Sequence, residues 1–146
     1  MENTIQNALT DKLFARLQDC FESEAAEEFL EVLLNLMRVI FLINPEYRAN
    51  IKGFTGRYQF RSLDGEVTMA ALFTNGKMEI REKMIVNPHI TVTFRNGRAL
   101  LDFLISPRQD ILGSMLRNDV KTEGNLNYLY KFGYMAKKLQ LMMPQL

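Results

Sequence analysis

The chain has 146 residues, 47% of them hydrophobic and 24% charged, which is the composition of an average soluble globular protein. This length corresponds to about one domain, and the composition excludes a disordered chain, a collagen-like repeat and a coiled-coil rod. Eighteen Lys and Arg against seventeen Asp and Glu leave a net charge of +1. The chain therefore lacks the overall charge excess that indicates a nucleic-acid or acidic-membrane partner.

The first 52 residues have the pattern of helices. Apolar residues recur at every fourth position, the spacing of one helix face, at Ile5, Leu9, Leu13 and Leu17. A second helix covers the most apolar stretch, Phe29 to Ile43, and is expected to end at Asn44-Pro45. That stretch is too short to span a bilayer, and polar residues form one narrow stripe along it, so the pattern predicts a mostly buried soluble helix.

From Tyr58 onward the hydrophobic period changes to two, which is typical of strands. Asp64-Gly65 marks one turn, and Asn75-Gly76 is the strongest short hairpin signal. The pattern predicts an antiparallel meander with one buried and one solvated face. The predicted inward residues are Tyr58, Phe60, Val67, Met69, Ala71, Phe73, Met78, Ile80, Ile90, Val92 and Phe94.

Helical signals return after Asn96-Gly97. Ser106 to Gln109 has the pattern of a capping box with proline at the first helical position. The helix that follows is expected to end at Asn118 in a left-handed conformation, before a short strand at Val120 to Glu123. Its predicted buried face consists of Ile111, Leu112, Met115 and Leu116.

The last predicted helix, from about Asn127 to Met143, has more apolar surface than one packed face requires. One stripe runs through Leu126, Leu129, Tyr130, Gly133 and Ala136, and a second through Tyr128, Phe132, Met135, Leu139 and Met142. Two stripes predict that the helix touches the sheet on one side and another apolar partner on the other. That partner is a second subunit, the N-terminal helices or an apolar ligand beneath the helix. The chain has eight methionines besides the initiator. Their flexible side chains suit a cavity with variable contents, but methionine is also a common core residue.

Motifs of enzymatic chemistry are scarce. The sequence has no HExxH, no GxGxxG after a strand, no phosphate-binding loop and no paired-cysteine metal site. His89 is the single histidine, and the strand alternation places it on the solvated face. Cys20 is the single cysteine and is expected to be buried as a small hydrophobe. We therefore expect no catalytic residue, no cofactor and no metal.

The location of the protein is indicated by the same cysteine and by the N-terminus. A lone cysteine forms no internal disulfide, which favours a reducing compartment. The opening segment, MENTIQNALTDKL, has neither the basic nor the apolar region of a signal peptide. We expect a cytoplasmic protein with no transmembrane segment, for which transient contact with a membrane stays open.

The order of elements in the second half of the chain resembles the sterol carrier protein 2 (SCP-2) family. The resemblance is carried by NPHITVTF (Asn87 to Phe94), by NGRALLDFLI (Asn96 to Ile105) and by a helix-turn-strand-Gly-helix run from Asp110 to Gln140. The family usually has glycine where this chain has Asn118, a residue that tolerates the same backbone. The N-terminal helical region is longer than the family core needs, and the C-terminus is not the peroxisomal Ser-Lys-Leu signal.

The resemblance implies one α+β domain over residues 1–146, with N-terminal helices over 1–52 and a sheet with C-terminal helices over 58–143. The sheet would be a twisted, mainly antiparallel five-stranded one, covered by helices around an apolar tunnel. Its relatives bind fatty acyl chains, acyl-CoA, phospholipids, sterols or isoprenoid quinone intermediates.

In this chain the tunnel would have three sides. The floor would be Phe60, Met69, Phe73, Ile90, Val92 and Phe94. The wall would be Leu104, Ile111, Leu112 and Met115, and the lid Leu129, Phe132, Met135, Ala136 and Leu139. The expected function is non-catalytic binding or carrying of a lipid. Two alternatives remain open: a homodimeric interaction module without a physiological lipid, and a small acyl-transfer or hydrolytic enzyme that depends on His89.

Overall fold

A computed structural model describes residues 2–105 and 111–142, with side chains from residue 8 onward. The predicted capping box at Ser106 to Gln109 and the predicted end of the last helix at Met143 lie outside these residues. The described elements form an α+β fold in which helices cover one face of a five-stranded sheet.

The predicted N-terminal helical region is confirmed. Helix α1 covers Glu2–Glu22, α2 covers Ala26–Ile43, α3 covers Pro45–Arg48, and a 3₁₀ turn follows at Ala49–Ile51. Ten residues of α2 are buried inside the chain, so this helix belongs to the core. Asn44 ends α2 as predicted, and its side-chain oxygen accepts a hydrogen bond from the Tyr47 N–H at the start of α3 (3.0 Å).

The sheet has the strand order β3-β2-β1-β4-β5. Its strands are β1 (Thr55–Ser62), β2 (Thr68–Thr74), β3 (Lys77–Arg81), β4 (Ile90–Phe94) and β5 (Val120–Gly124). Asn75 and Gly76 both have positive φ (47° and 79°), which confirms the predicted tight turn between β2 and β3.

The predicted antiparallel meander is wrong at one position, because β4 pairs with β1 in parallel. The other three strand pairs are antiparallel. Since β3 runs in the same direction as β1, the chain must return from the end of β3 to the opposite end of the sheet before β4 can begin parallel to β1. The segment 82–89 makes this crossing. Alternation along a strand predicts which side chains face inward but carries no information on the direction of the neighbouring strand.

The crossing segment also covers part of the sheet face that was expected to be solvated. Gln59 on β1 is fully buried beneath it. The Gln59 side-chain amide donates to the Met69 carbonyl (2.9 Å) and to the Lys83 carbonyl (3.3 Å), while its oxygen accepts from the Ile85 N–H (2.7 Å). A buried amide with these bonds is satisfied, and it fixes the crossing segment to β1 and β2.

The C-terminal helices α4 (Gly97–Ile105), α5 (Ile111–Leu116) and α6 (Leu126–Met142) cover the inner face of the sheet. Asn118 has a φ of 61°, which confirms its left-handed conformation after α5. The predicted buried face of α5 is partly wrong, because Leu112 and Leu116 are 59% and 84% exposed. The buried residues of α5 are Ile111 and Ser114, so the short helix does not pack through its most apolar side.

Candidate functional site

The inner face of the sheet forms a continuous apolar surface. The register places Phe60 directly between Met69 of β2 and Val92 of β4. The next row holds Tyr58 between Ala71 and Ile90. All six residues predicted as the floor are buried on this face: Phe60, Met69, Phe73, Ile90, Val92 and Phe94.

Helix α6 lies over this surface with its own apolar face. The five residues predicted for the lid are all buried: Leu129, Phe132, Met135, Ala136 and Leu139. These residues come from both predicted stripes, so the buried face of α6 combines parts of the two, while Tyr130 and Met142 of the same stripes are exposed. Sequence spacing alone could not separate this arrangement from one with partners on opposite sides of the helix.

Floor and lid are in direct aromatic contact. The ring centroid of Phe132 lies 5.0 Å from that of Phe60 and 5.7 Å from that of Tyr58. Tyr58 in turn meets Phe73 edge to face at 5.5 Å. These distances are those of favourable aromatic pairs. The apolar layer under α6 is therefore closed by its own side chains at this point.

Side-chain hydrogen bonds between residues far apart in the sequence attach α6 to the rest of the fold. The Tyr47 hydroxyl donates to the Met135 carbonyl (2.9 Å), and the Tyr58 hydroxyl donates to the Tyr128 carbonyl (2.7 Å). Near the other end of the helix, the Gln140 side-chain amide donates to the Leu104 carbonyl (2.8 Å). Burial raises the pKa of both Tyr47 and Tyr58 well above its usual value, so both hydroxyls remain donors at neutral pH.

The predicted wall is only partly assembled. Leu104 and Ile111 are buried, and Met115 is half-buried against the core. Leu112 faces outward and does not belong to the wall. Their role as a wall stays a prediction, and the structure shows Leu104 and Ile111 as part of the buried apolar core.

His89 has a structural partner that the sequence did not reveal. Its Nδ1 accepts a hydrogen bond from the Arg57 backbone N–H (2.9 Å), and its own backbone N–H donates to the Arg57 carbonyl (2.8 Å). The imidazole is half-buried and stacks on Tyr128, with ring centroids 4.7 Å apart and an angle of 7° between the planes. The ring thus extends the pairing of β1 with β4 by one residue.

Residues 2–105 and 111–142 contain no group of three His, Cys, Asp or Glu that could hold a metal ion. Cys20 is buried as predicted, and burial raises the pKa of its thiol. A surface groove of about 400 Å³ runs along α1 and shares no residue with the predicted floor, wall or lid.

Comparisons with known proteins identify the fold. No protein-family model matches the sequence, and no curated protein matches it either. Among solved structures, the ubiquinone synthesis protein UbiJ-SCP2 superposes with a TM-score of 0.60 and 13% identity, over 81% of this chain and 93% of that one. The sterol carrier protein domain 2 of Helicoverpa armigera gives 0.52 and 14%, over 82% and 93%.

A third similar structure is much longer than this chain. The sec-alkylsulfatase Pisa1 from Pseudomonas sp. superposes with a TM-score of 0.58 and 16% identity over 71% of this chain. This chain spans only 16% of the length of that sulfatase. The UbiJ-SCP2 and Helicoverpa armigera structures are each covered over 93% of their length and show the fold. The chain has the SCP-2-like fold expected from the sequence. No helix within residues 2–105 and 111–142 is long and apolar enough to cross a membrane.

Proposed function

We propose that this SCP-2-like chain binds and carries an apolar ligand between α6 and the inner face of its sheet, without catalysing a reaction on it. One observation supports this proposal most directly. The floor and lid residues form an apolar, buried layer that α6 covers at Phe60 and that Phe41 of α2 and Phe103 of α4 extend at its edges, on the fold shared with a sterol carrier domain and a ubiquinone synthesis protein. The ligand class would be a fatty acyl chain, a phospholipid, a sterol-like molecule or an isoprenoid quinone.

Binding would require Phe132 to separate from Phe60 and Tyr58, because these rings now fill the space between helix and sheet. Burial of a dozen methylenes contributes about 10 kcal/mol gross, before ordering costs. That amount is large enough to offset the separation of a few aromatic pairs, each worth about 0.5–1.5 kcal/mol. Met69 and Met135 line the same layer, and thioether side chains adapt readily to new contents.

A non-catalytic role agrees with the surroundings of His89. An imidazole whose Nδ1 already accepts the Arg57 N–H would have to give up this bond to act as a base through that atom. We therefore propose that the protein is a carrier rather than an acyl-transfer or hydrolytic enzyme. We also propose a cytoplasmic location, for which the lone Cys20 is the argument.

The homodimeric alternative loses part of its basis. Its interface would consist of the apolar stretch Phe29 to Ile43 together with the last helix. Ten residues of α2 are buried within the same chain, so most of that stretch already has an intramolecular partner. Leu42 is the large apolar residue of α2 that stays exposed.

Uptake of a fluorescent fatty acid tests the proposal. Leu129→Asp and Phe132→Asp should abolish uptake, because each places a charge in the apolar layer. Ala136→Leu is an uncharged companion variant that adds about three carbon atoms to the same layer. It should reduce uptake while the fold is retained. Lys77→Ala, on the opposite face of the sheet, is the control and should bind like the wild type. Unchanged uptake in all three interior variants would contradict the proposed site.

A further inference from the structure

The solvent-facing side of α6 differs from an ordinary solvated helix face. Tyr130 and Tyr134 are 46% and 53% exposed, and Leu141 and Met142 are 74% and 40% exposed. At 3.6 residues per turn these four side chains fall within one arc of about 120°. The arc lies opposite the buried face that packs on the sheet. Helix α6 therefore carries a second apolar surface that no described element covers.

The charge on this helix has one sign. Lys131, Lys137 and Lys138 flank or interrupt the exposed aromatic arc, and the sequence of α6 contains no Asp or Glu. The ammonium of Lys131 lies 4.5 Å from the ring centroid of Phe54, and that of Lys138 lies 5.6 Å from the centroid of Tyr134. The net charge of +1 for the whole chain conceals this local excess, because the acidic residues are on other elements.

We propose that the outer face of α6 docks onto the surface of an anionic lipid bilayer. Tyrosine has an apolar ring and a polar hydroxyl, which suits the boundary between headgroups and acyl chains. Lysines beside such rings are attracted to acidic headgroups and place their long apolar stems against the lipid. A helix with this composition lies in the plane of the interface, and α6 is not long and apolar enough to span the membrane.

A second copy of the chain fits this surface less well. A two-fold interface brings the same face of both subunits together. Lys131 and Lys138 of one α6 would then approach the same two lysines of the other, and the sequence of α6 contains no acidic residue. An acidic bilayer presents negative charge to Lys131 and Lys138.

The docking surface has a consequence for the helix itself. The inner face of α6 covers the apolar layer, and its outer face would touch the membrane, so one helix separates the two. The inference concerns only the outer face. It holds whether or not a ligand occupies the interior.

Vesicle flotation with the full chain tests the inference. Wild-type protein should bind phosphatidylcholine vesicles that contain phosphatidylglycerol, bind pure phosphatidylcholine vesicles much less, and lose affinity as salt is added. Tyr130→Ser/Tyr134→Ser should lower the partition coefficient about tenfold, because the aromatic anchors are lost. Lys138→Glu should lower it at least about fivefold.

Matched controls are available on the opposite face of the sheet. Val86→Ser removes an exposed apolar side chain there, and Lys77→Glu reverses an exposed charge. Both should bind vesicles like the wild type, and circular dichroism and thermal unfolding should show that every variant is folded.

Three results would overturn the inference. The first is equal binding of wild-type protein to acidic and neutral vesicles, or no binding to either. The second is unchanged binding by the folded tyrosine pair variant, or equal loss by the controls. The third is a wild-type dimer that the tyrosine substitutions dissociate, without any vesicle binding.

Discussion

The rings of Phe60 and Phe132 lie 5.0 Å apart, centroid to centroid, and join the middle of the sheet to the middle of α6. Both side chains are fully buried. This contact closes the apolar layer at this point, and its opening is the conformational change that the carrier proposal requires.

The first prediction concerns this contact. Phe132→Ala should lower the free energy of unfolding by about 3–5 kcal/mol, because it removes buried area and leaves a cavity beside Phe60 and Tyr58. Tyr134→Ala, an exposed aromatic on the same helix, should change it by less than about 1 kcal/mol. Urea denaturation measures both values. Equal losses for the two variants would contradict the described packing of α6.

The second prediction concerns the two buried tyrosines. Burial raises the pKa of Tyr47 and Tyr58 above the usual value of 10.0, so ionisation occurs first in the unfolded chain. Their contribution to stability is complete below about pH 10 and is lost as the pH rises further, by about 1.4 kcal/mol per pH unit for each tyrosine. The double variant Tyr47→Phe/Tyr58→Phe should therefore lose less stability than the wild type between about pH 9.5 and pH 11. If the free energies of unfolding of the wild type and the double variant changed equally with pH over this range, the result would be inconsistent with two buried phenols.

The third prediction concerns the single histidine. His89→Ala should lower the free energy of unfolding by about 1–3 kcal/mol, because the Arg57 N–H loses its acceptor and Tyr128 loses its stacking partner. Thr91→Ala on the same strand serves as the control and should cost less than about 1 kcal/mol. The lipid content of the purified His89 variant should equal that of the wild type. An unchanged free energy of unfolding in His89→Ala would contradict a structural role for this residue.

The fourth prediction concerns the close approach of β5 to β4. Gly124 has a φ of 116°, and a Cβ at this position would collide with the His89 carbonyl oxygen and lie 3.0 Å from the Ile90 Cα. Gly124→Ala should lower the free energy of unfolding by more than about 3 kcal/mol, because backbone atoms cannot move aside as a flexible side chain can. Gly65→Ala also has positive φ but open space around it, and should cost only about 1–2 kcal/mol. Similar losses in thermal denaturation would argue against this strand arrangement.

The sequence predicted which strand residues face inward, because side chains alternate strictly along a strand. Phe60, Met69 and Val92 are therefore found where the period-two pattern placed them. The partner of His89 could not be predicted in the same way. It depends on the parallel pairing of β1 with β4, which joins residues 32 positions apart and leaves no mark in local periodicity.

Two further differences have the same origin in tertiary contacts. Gln59 alternates with inward aromatic residues and was expected to face water, yet the crossing segment buries it. Leu112 was expected to line the wall, but a helix of six residues has too few turns for its apolar count to define its packed face. The overall charge likewise concealed the one-sided charge of α6, because net charge averages over all elements.

Native mass spectrometry of wild-type protein purified without detergent is the most direct test of the carrier proposal. If the protein carries a lipid, the spectrum shows a stoichiometric adduct with the mass of a lipid or a quinone-like molecule, which solvent extraction then releases for identification. Titration with a long-chain fatty acid should saturate any unoccupied fraction at one ligand per chain. A clean apo mass that no fatty acid, phospholipid, sterol or quinone shifts would contradict the proposed carrier function.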